Sequence, residues 1–277
     1  MDLDQYVKLS IEEDVKDGDH STLSCIPENK IGSVELLIKE SGIIAGIEIA
    51  KSIFKTFDEN IIFKPILKDG QKVEIGDIAF IVSGPSKSLL TIERLVLNVM
   101  QRMSAISTLT EKFVRKLDGL NTKILDTRKT TPLNRFLEKK AVKIGGGFNH
   151  RFGLYDMIML KDNHIDFAGG IKNAIEKSNQ YIKTKGLEMK IEIETRNLGE
   201  LKQVLEYGEV DRIMLDNFNF SDLKTAVKLI DGKFETEASG GINLKTVRKY
   251  ALCGVDYISV GALTHSVNNM DLSLKAI

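Results

Sequence analysis

The chain has 277 residues, and its 39 Lys plus Arg match its 39 Asp plus Glu, so the formal net charge is zero. That length supports one large or two ordinary domains around a substantial core, and the balance of charge gives no general case for nucleic acid or a membrane surface as partner. Cys25 and Cys253 are far apart and in no metal-ligand spacing, which argues against a disulfide framework or a zinc site and suits a reducing cytoplasm.

The N-terminus is acidic and lacks the basic and apolar pattern of a leader, and no window approaches the roughly 18 apolar residues of a membrane span. Residues 1 to 13 read as a short amphipathic helix, and 13 to 20 as an acidic, glycine-containing turn without the alternating oxygen ligands of a calcium loop. Residues 32 to 39 alternate like a half-buried strand, 47 to 57 carry helical spacing through Ile49, Ile53 and Phe57, and 61 to 67 return to extended character. Turn signals at Asp69-Gly70 and Gly76-Asp77 bracket a further strand pair that ends near Pro85. From Ser86 to Leu117 apolar residues recur at helical spacing over an unusually long stretch, predicting one helix that passes between two domains.

Beyond residue 120 short apolar runs alternate with helical segments. Strands are expected at 123 to 126, 157 to 161, 190 to 194, 212 to 216, 234 to 239 and 256 to 261. Helices are expected near 133 to 143, 170 to 184, 198 to 207, 221 to 230 and 243 to 252. Repeated units of this size imply a parallel sheet, because parallel strands need crossover connections. Six units are fewer than eight, which leaves an incomplete barrel with a further strand or an open doubly wound sheet. Asp126, Lys161, Glu194, Asp216, Ser239 and Gly261 each end or follow an apolar run, and in a barrel all six would gather at one mouth. The turns Ser239-Gly-Gly241 and Ser259-Val-Gly261 offer backbone N–H groups to a phosphate. Residues 270 to 275 alternate like a last strand returning to the first domain.

Between 126 and 164 the chain concentrates Arg128, Lys129, His150, Arg151, Lys161 and His164 at glycine-rich turns or just past apolar runs. Fixed cations on one loop-built face suit a small, multiply anionic substrate, since guanidinium forks pair with carboxylate or phosphate oxygens.

The ordered blocks Glu93-Arg94-Leu-Val-Leu-Asn98, Asp126-Thr-Arg-Lys-Thr130, Gly146-Gly-Phe-Asn-His-Arg151, Leu160-Lys-Asp-Asn-His164, Glu192-Ile-Glu194, Met214-Leu-Asp-Asn217 and Glu237-Ala-Ser-Gly-Gly-Ile242 span nearly the whole chain. Together they resemble the quinolinate phosphoribosyltransferase family, the carboxylating nicotinate-nucleotide pyrophosphorylases. One departure is Ser104-Ala105, where the family usually has Ser-Gly; alanine is tolerable inside a helix. The resemblance implies an α/β fold, an N-terminal α/β sandwich (1–105 plus 266–277) with an incomplete (β/α) barrel (106–265) that carries the active site. It implies transfer of phosphoribosyl from 5-phosphoribosyl-1-diphosphate to quinolinate with magnesium, releasing pyrophosphate and carbon dioxide and giving nicotinate mononucleotide for NAD synthesis. It further implies a dimer or a hexamer of dimers whose sites borrow Arg94 from the neighbouring copy.

On that resemblance Arg94, Arg128, Lys129, His150, Arg151 and Lys161 would neutralise the two carboxylates of quinolinate. Lys161 and His164 would meet phosphate oxygens. Glu194 and Asp216 would stabilise the positive ribose and hold magnesium through water or substrate, acting with Lys161 as the catalytic set. Ser239, Gly240, Gly241, Ser259 and Gly261 would hold the 5-phosphate. Three other readings compete: a related pyrophosphorylase associated with molybdenum transport, a Schiff-base aldolase using Lys161, and a non-catalytic phosphosugar-binding protein.

Overall fold

In the computed structural model, which describes residues 2–277, the chain opens with α1 (Leu3–Val15), α2 (His20–Cys25), β1 (Ile31–Ile38), β2 (Gly42–Ile43) and α3 (Ile47–Phe57). It continues through β3 (Ile62–Pro65), β4 (Lys72–Val73), β5 (Ile78–Pro85) and the 30-residue α4 (Ser86–Arg115). Then come β6 (Lys123–Leu125), α5 (Arg135–Ile144), β7 (Ile158–Leu160), α6 (Asp162–Ala168), α7 (Ile171–Lys185), β8 (Ile191–Thr195) and α8 (Leu198–Tyr207). The last elements are β9 (Arg212–Asp216), α9 (Phe220–Ile230), β10 (Glu235–Ser239), α10 (Val247–Ala251), β11 (Tyr257–Ser259), α11 (Ala262–His265) and β12 (Leu272–Ala276).

Contacts divide the chain into two units. The first holds the residues up to Glu111, Thr131–Gly146 and Ser266–Ile277, and the second holds Lys112–Thr130 and Gly147–His265. In the first, an antiparallel sheet runs in the order β12-β1-β5-β3. Val34, Leu36 and Ile38 of β1 are buried while their neighbours are not, the alternation expected of a sheet covered on one face. Ile47, Ile49, Ala50, Ile53 and Phe54 form the buried face of α3, and Phe54, Phe63 and Phe80 meet as an aromatic cluster with centroids 4.6 to 6.2 Å apart.

Residues 106–111 and segment 131–146 fall in the first unit, within the range 106–265 that the resemblance implied for the barrel. The reason is side-chain chemistry on α5. Glu138 is wholly buried, accepts hydrogen bonds from Arg102 Nε and Nη2 at 3.1 and 3.0 Å, and accepts the Thr131 N–H at 3.1 Å. A buried carboxylate is tolerable only beside such a partner, and its partner lies on α4. At the end of α5, a Cβ on Gly145 would stand 2.4 Å from the Ser107 carbonyl, so the close approach of the two helices needs glycine there.

The second unit is built on six strands in the order β6-β11-β10-β9-β8-β7, every neighbouring pair parallel. Phe148 adds a one-residue parallel bridge beside Leu125, its N–H donating to Ile124 O at 2.8 Å, and so supplies the unrecognised strand in rudimentary form. No ladder joins Phe148 to β7 among the described residues, which leaves the barrel open at that seam. All five residues of β8 are buried, as in a central strand covered on both faces.

Three short helices escape the periodicity of the sequence. Asp19 caps α2 by accepting the Thr22 N–H at 3.1 Å, which gives the acidic turn a structural use. Both α6 and α11 are too short for a repeat to show. Conversely, α10 begins at Val247 instead of 243, because Asn243 Oδ1 accepts the Lys245 N–H in a local turn that competes with helix.

Candidate active site

Parallel strands bring their carboxyl ends to one rim, and the polar strand ends of the second unit line a cavity of about 800 Å³ there. Arg128 and Lys129 follow β6, Lys161 follows β7, Glu194 and Asp216 lie at the ends of β8 and β9, and Ser239 and Ser259 close β10 and β11. His150, Arg151, Gly240, Gly241 and Gly261 complete the expected set.

The cations sit close to one another. Burial and the nearby Arg128 guanidinium both lower the pKa of Arg151, so the pocket already strains to hold its positive charge and an anion would relieve it. Arg151 is oriented by its Nη1, which donates to Met157 O at 3.0 Å. The Arg128 Nε is buried with no hydrogen-bond partner in the protein, the condition of a donor that a ligand satisfies. Lys129 is held from behind, its carbonyl accepting the Thr264 hydroxyl at 2.8 Å.

Across the cavity, burial and the neighbouring Asp216 raise the pKa of Glu194, while Lys161 Nζ stands 3.7 Å from its carboxylate. Asp216 is oriented by Asn217, whose Nδ2 donates to Oδ2 at 2.6 Å and whose backbone is left-handed at φ 56°. The glycine turn after β10 fits against this asparagine: Gly240 has φ +100°, and a Cβ on it would lie 2.1 Å from Asn217 Oδ1. Such a turn lets an anion approach the backbone closely.

A buried cluster reaches the cavity wall through His150 and Glu237. His150 Nε2 is 3.0 Å from Glu192 and 3.4 Å from Glu237, and Arg212 Nη1 is 3.2 Å from Glu237. Burial works against a charged His150 ring, but the adjoining Glu192 and Glu237 carboxylates outweigh it and raise its pKa. Burial, then repulsion from Glu237, pushes Glu192 up to about 7. Arg212 faces Glu235 as well as these two carboxylates, so its single charge leaves the cluster short of protons, and both shifts express that shared deficit. The Arg151 N–H donates to His150 Nδ1 at 2.7 Å, so the extra proton belongs on the glutamate side and the ring is neutral with its hydrogen on Nε2.

Both folded values lie above the ordinary ones of 6.5 and 4.5, so the folded chain keeps a proton that the unfolded chain releases. With the ring neutral the proton at stake is the one on Glu192, so the stability it gives is fully present below about 4.5 and lost as pH rises through about 7. Thermal unfolding across that range is expected to show a falling Tm in the wild type and a flatter profile in Glu192→Gln, which carries no proton to lose.

Three expectations need correction or placing. His164 does not line the cavity; its Nδ1 accepts the Lys161 N–H at 3.0 Å, turning the ring back onto the first turn of α6. Asp126 ends its run but is wholly buried, and its Oδ1 accepts the His150 N–H at 2.8 Å, so it serves the loop and not the mouth. Arg94 is exposed on α4 and does not line this cavity. Sequence reading missed Asn217, Glu237 and His265, all of which line it. The alternation of 235 to 239 would have placed Glu237 on the same strand face as Ser239, and His265 lies one helical turn beyond Gly261.

Two family models cover nearly all of the chain: the quinolinate phosphoribosyl transferase N-terminal domain matches residues 19–104 and the C-terminal domain residues 106–275. The chain belongs to the quinolinate phosphoribosyl transferase family. Among family relatives, the chloroplastic carboxylating nicotinate-nucleotide pyrophosphorylase of Arabidopsis thaliana is 46% identical, covering 99% of this chain and 82% of that protein. A probable carboxylating nicotinate-nucleotide pyrophosphorylase of Bacillus subtilis is 43% identical over 95% of this chain and 89% of its own. Solved structures agree. NadC from Streptococcus pyogenes superposes with a TM-score of 0.93 at 37% identity, covering 99% of this chain and 97% of its own. The Ehrlichia chaffeensis nicotinate-nucleotide pyrophosphorylase gives 0.94 at 34%, covering 100% and 99%.

Proposed function

We propose that this chain joins quinolinate to the phosphoribosyl group of 5-phosphoribosyl-1-diphosphate with loss of carbon dioxide, giving nicotinate mononucleotide and pyrophosphate for NAD synthesis. The observation that carries this reading is one cavity with two chemically distinct walls. Arg128, Lys129, Arg151 and Lys161 offer charge to a dicarboxylate, while Glu194, Asp216 and the glycine turns face a phosphorylated sugar.

In the proposed reaction the cationic wall binds both carboxylates and directs the ring nitrogen at the sugar. Positioning is the main contribution, because a bound pair reacts as one molecule. As pyrophosphate leaves, the ribose becomes positive, and Glu194 and Asp216 stabilise that charge while accepting its hydroxyls. Lys161, beside Glu194, neutralises departing phosphate oxygens. Gly240, Gly241 and Gly261, with Ser239 and Ser259, surround the 5-phosphate. Once the nitrogen is alkylated, the cationic ring accepts the electron pair of the breaking carbon–carboxylate bond, so carbon dioxide leaves and the ring carbon takes a solvent proton. No side chain has to act as acid or base there.

The pair Glu194 and Asp216 suits magnesium: two carboxylates close enough to raise the pKa of one are a donor set that a divalent cation relieves. They would hold it through water or substrate, where it would neutralise diphosphate charge. We assign Arg94 to the cavity of a second copy, as an exposed guanidinium on α4 that this chain's own cavity does not use. The proposed compartment is the cytoplasm, in keeping with an exposed, unpaired Cys25. No helix among the described residues is long and apolar enough to cross a membrane.

Release of labelled carbon dioxide from carboxyl-labelled quinolinate, dependent on 5-phosphoribosyl-1-diphosphate, tests the reading. Equal amounts of pyrophosphate and carbon dioxide are expected. Pyrophosphate release without quinolinate consumption would point to the molybdenum-associated relative, and binding without turnover to a phosphosugar-binding protein.

A further inference from the structure

Glu192 and Glu237 are wholly buried, and the proposed reaction makes no direct use of either. Leaving charge in a barrel interior is costly when aliphatic side chains can fill it, so their retention calls for a physical reason. They converge on one atom, His150 Nε2, from two strands, β8 and β10, that flank β9. His150 is held at two further points: its N–H donates to the buried Asp126, and its Nδ1 accepts the N–H of Arg151.

The three groups have their ligand atoms within 4.8 Å of one another, a donor set that also suits a metal ion. The ring rules that out. A neutral imidazole has one lone pair, and Nδ1 has committed it to the Arg151 N–H. A metal on Nε2 would leave an imidazolate, whereas a proton on Nε2 meets two carboxylates. Arg212, 3.2 Å from Glu237, occupies the remaining space with positive charge.

We propose that Glu192 and Glu237 are positioning residues for the dicarboxylate wall, acting through His150 on Arg151. The carboxylates, 3.0 and 3.4 Å from Nε2, attract its hydrogen and so hold the ring, and the ring's Nδ1 then fixes the Arg151 backbone. From there the guanidinium spans to Met157 O beside Arg128. Without the nearer carboxylate the ring can rotate, and the Arg151 N–H loses its acceptor. Glu237 also faces Ser259 on the phosphate side, whereas the charged neighbours of Glu192 are His150, Glu237 and Arg212, so a change at Glu192 falls on one substrate. This inference rests on the reading of the cavity as a dicarboxylate site.

Glu192→Leu removes the nearer acceptor, while Arg212 keeps Glu237 and Glu235. Steady-state kinetics should show the quinolinate KM raised about 10- to 100-fold, the range known for losing a group that orients a metal-binding histidine. The KM for 5-phosphoribosyl-1-diphosphate should stay within about twofold. Glu192→Gln, which keeps an acceptor oxygen, should restore most of the quinolinate affinity. An unchanged quinolinate KM in Glu192→Leu overturns the proposal, as does an equal rise for both substrates accompanied by a lowered Tm.

A second measurement needs neither a variant nor turnover. Nitrogen-15 spectra of the wild-type protein should show His150 with a bare Nδ1 and a protonated Nε2. A hydrogen on Nδ1, or one equivalent of tightly bound metal in the purified protein, overturns the mechanism even if the variant fails to fold. Wild-type protein that releases no carbon dioxide would remove the functional reading and leave this spectrum to judge the His150 arrangement.

Discussion

Arg128→Ala is expected to lower kcat/KM for quinolinate by about 100-fold or more, chiefly through KM, with the Tm little changed. A charge-assisted pair in a desolvated pocket costs about 2–5 kcal/mol when one partner is truncated, and each 1.36 kcal/mol is about tenfold in rate. The Arg128 side chain brings its Nε into the cavity wall without a protein partner, so its removal leaves no orphaned group behind. Its loss also relieves the repulsion on Arg151, which bounds the effect on stability. Lysine at this position restores the charge but not the fork, so Arg128→Lys should recover only part of the affinity. Steady-state kinetics with thermal unfolding on the same preparations decide it, and an Arg128→Ala enzyme with wild-type constants would take this residue out of the pocket.

Gly240→Ala is expected to be the most damaging single methyl group in the second unit. The backbone there has φ +100°, and the new Cβ would stand 2.1 Å from Asn217 Oδ1 and 2.9 Å from Asn217 N. A side chain could swing away, but the backbone nitrogen cannot, because it donates to Ser239 O at 2.9 Å and so ties the end of β9 to the end of β10. Strain at such a φ costs about 1–3 kcal/mol, and overpacking adds about 1–3 kcal/mol. Since Asn217 orients Asp216, activity should fall about 100-fold or more along with stability, on the scale of losing one preorganised group at the reacting centre. Gly241→Ala is the control. It has φ +60° and open space around the new carbon, so it should lose only about 1–2 kcal/mol of stability, the backbone cost alone. Equal damage from the two substitutions, measured by denaturant unfolding and turnover, would show that packing against Asn217 is not what makes Gly240 necessary.

Much of the cavity was legible because each wall residue is marked locally. Lys161, Glu194, Asp216 and Ser239 sit at the ends of short apolar runs, and parallel connection carries every such end to one rim. Glycine pairs near 240 mark, by the same logic, the turn proposed to face the phosphate. His164 was misread for an equally local reason, since a histidine three residues into a helix can serve the cap or the cavity, and the spacing is the same for both. Asp126 shows the limit of the strand-end argument: a polar residue may end a run and still turn inward when a loop N–H waits for it 24 residues later.

By itself the sequence determined the alternation of strands and helices, the parallel character of the second unit, the cationic and acidic rim, and the family. These follow from periodicity, turn residues and short ordered blocks, all of which are local properties of the chain. Only the tertiary structure decided that α5 joins the first unit, that Phe148 extends the sheet, and that Glu192, Glu237 and Arg212 close around His150. Those outcomes depend on which distant partner satisfies a buried charge or an open backbone group, and that choice is made by packing between segments tens of residues apart.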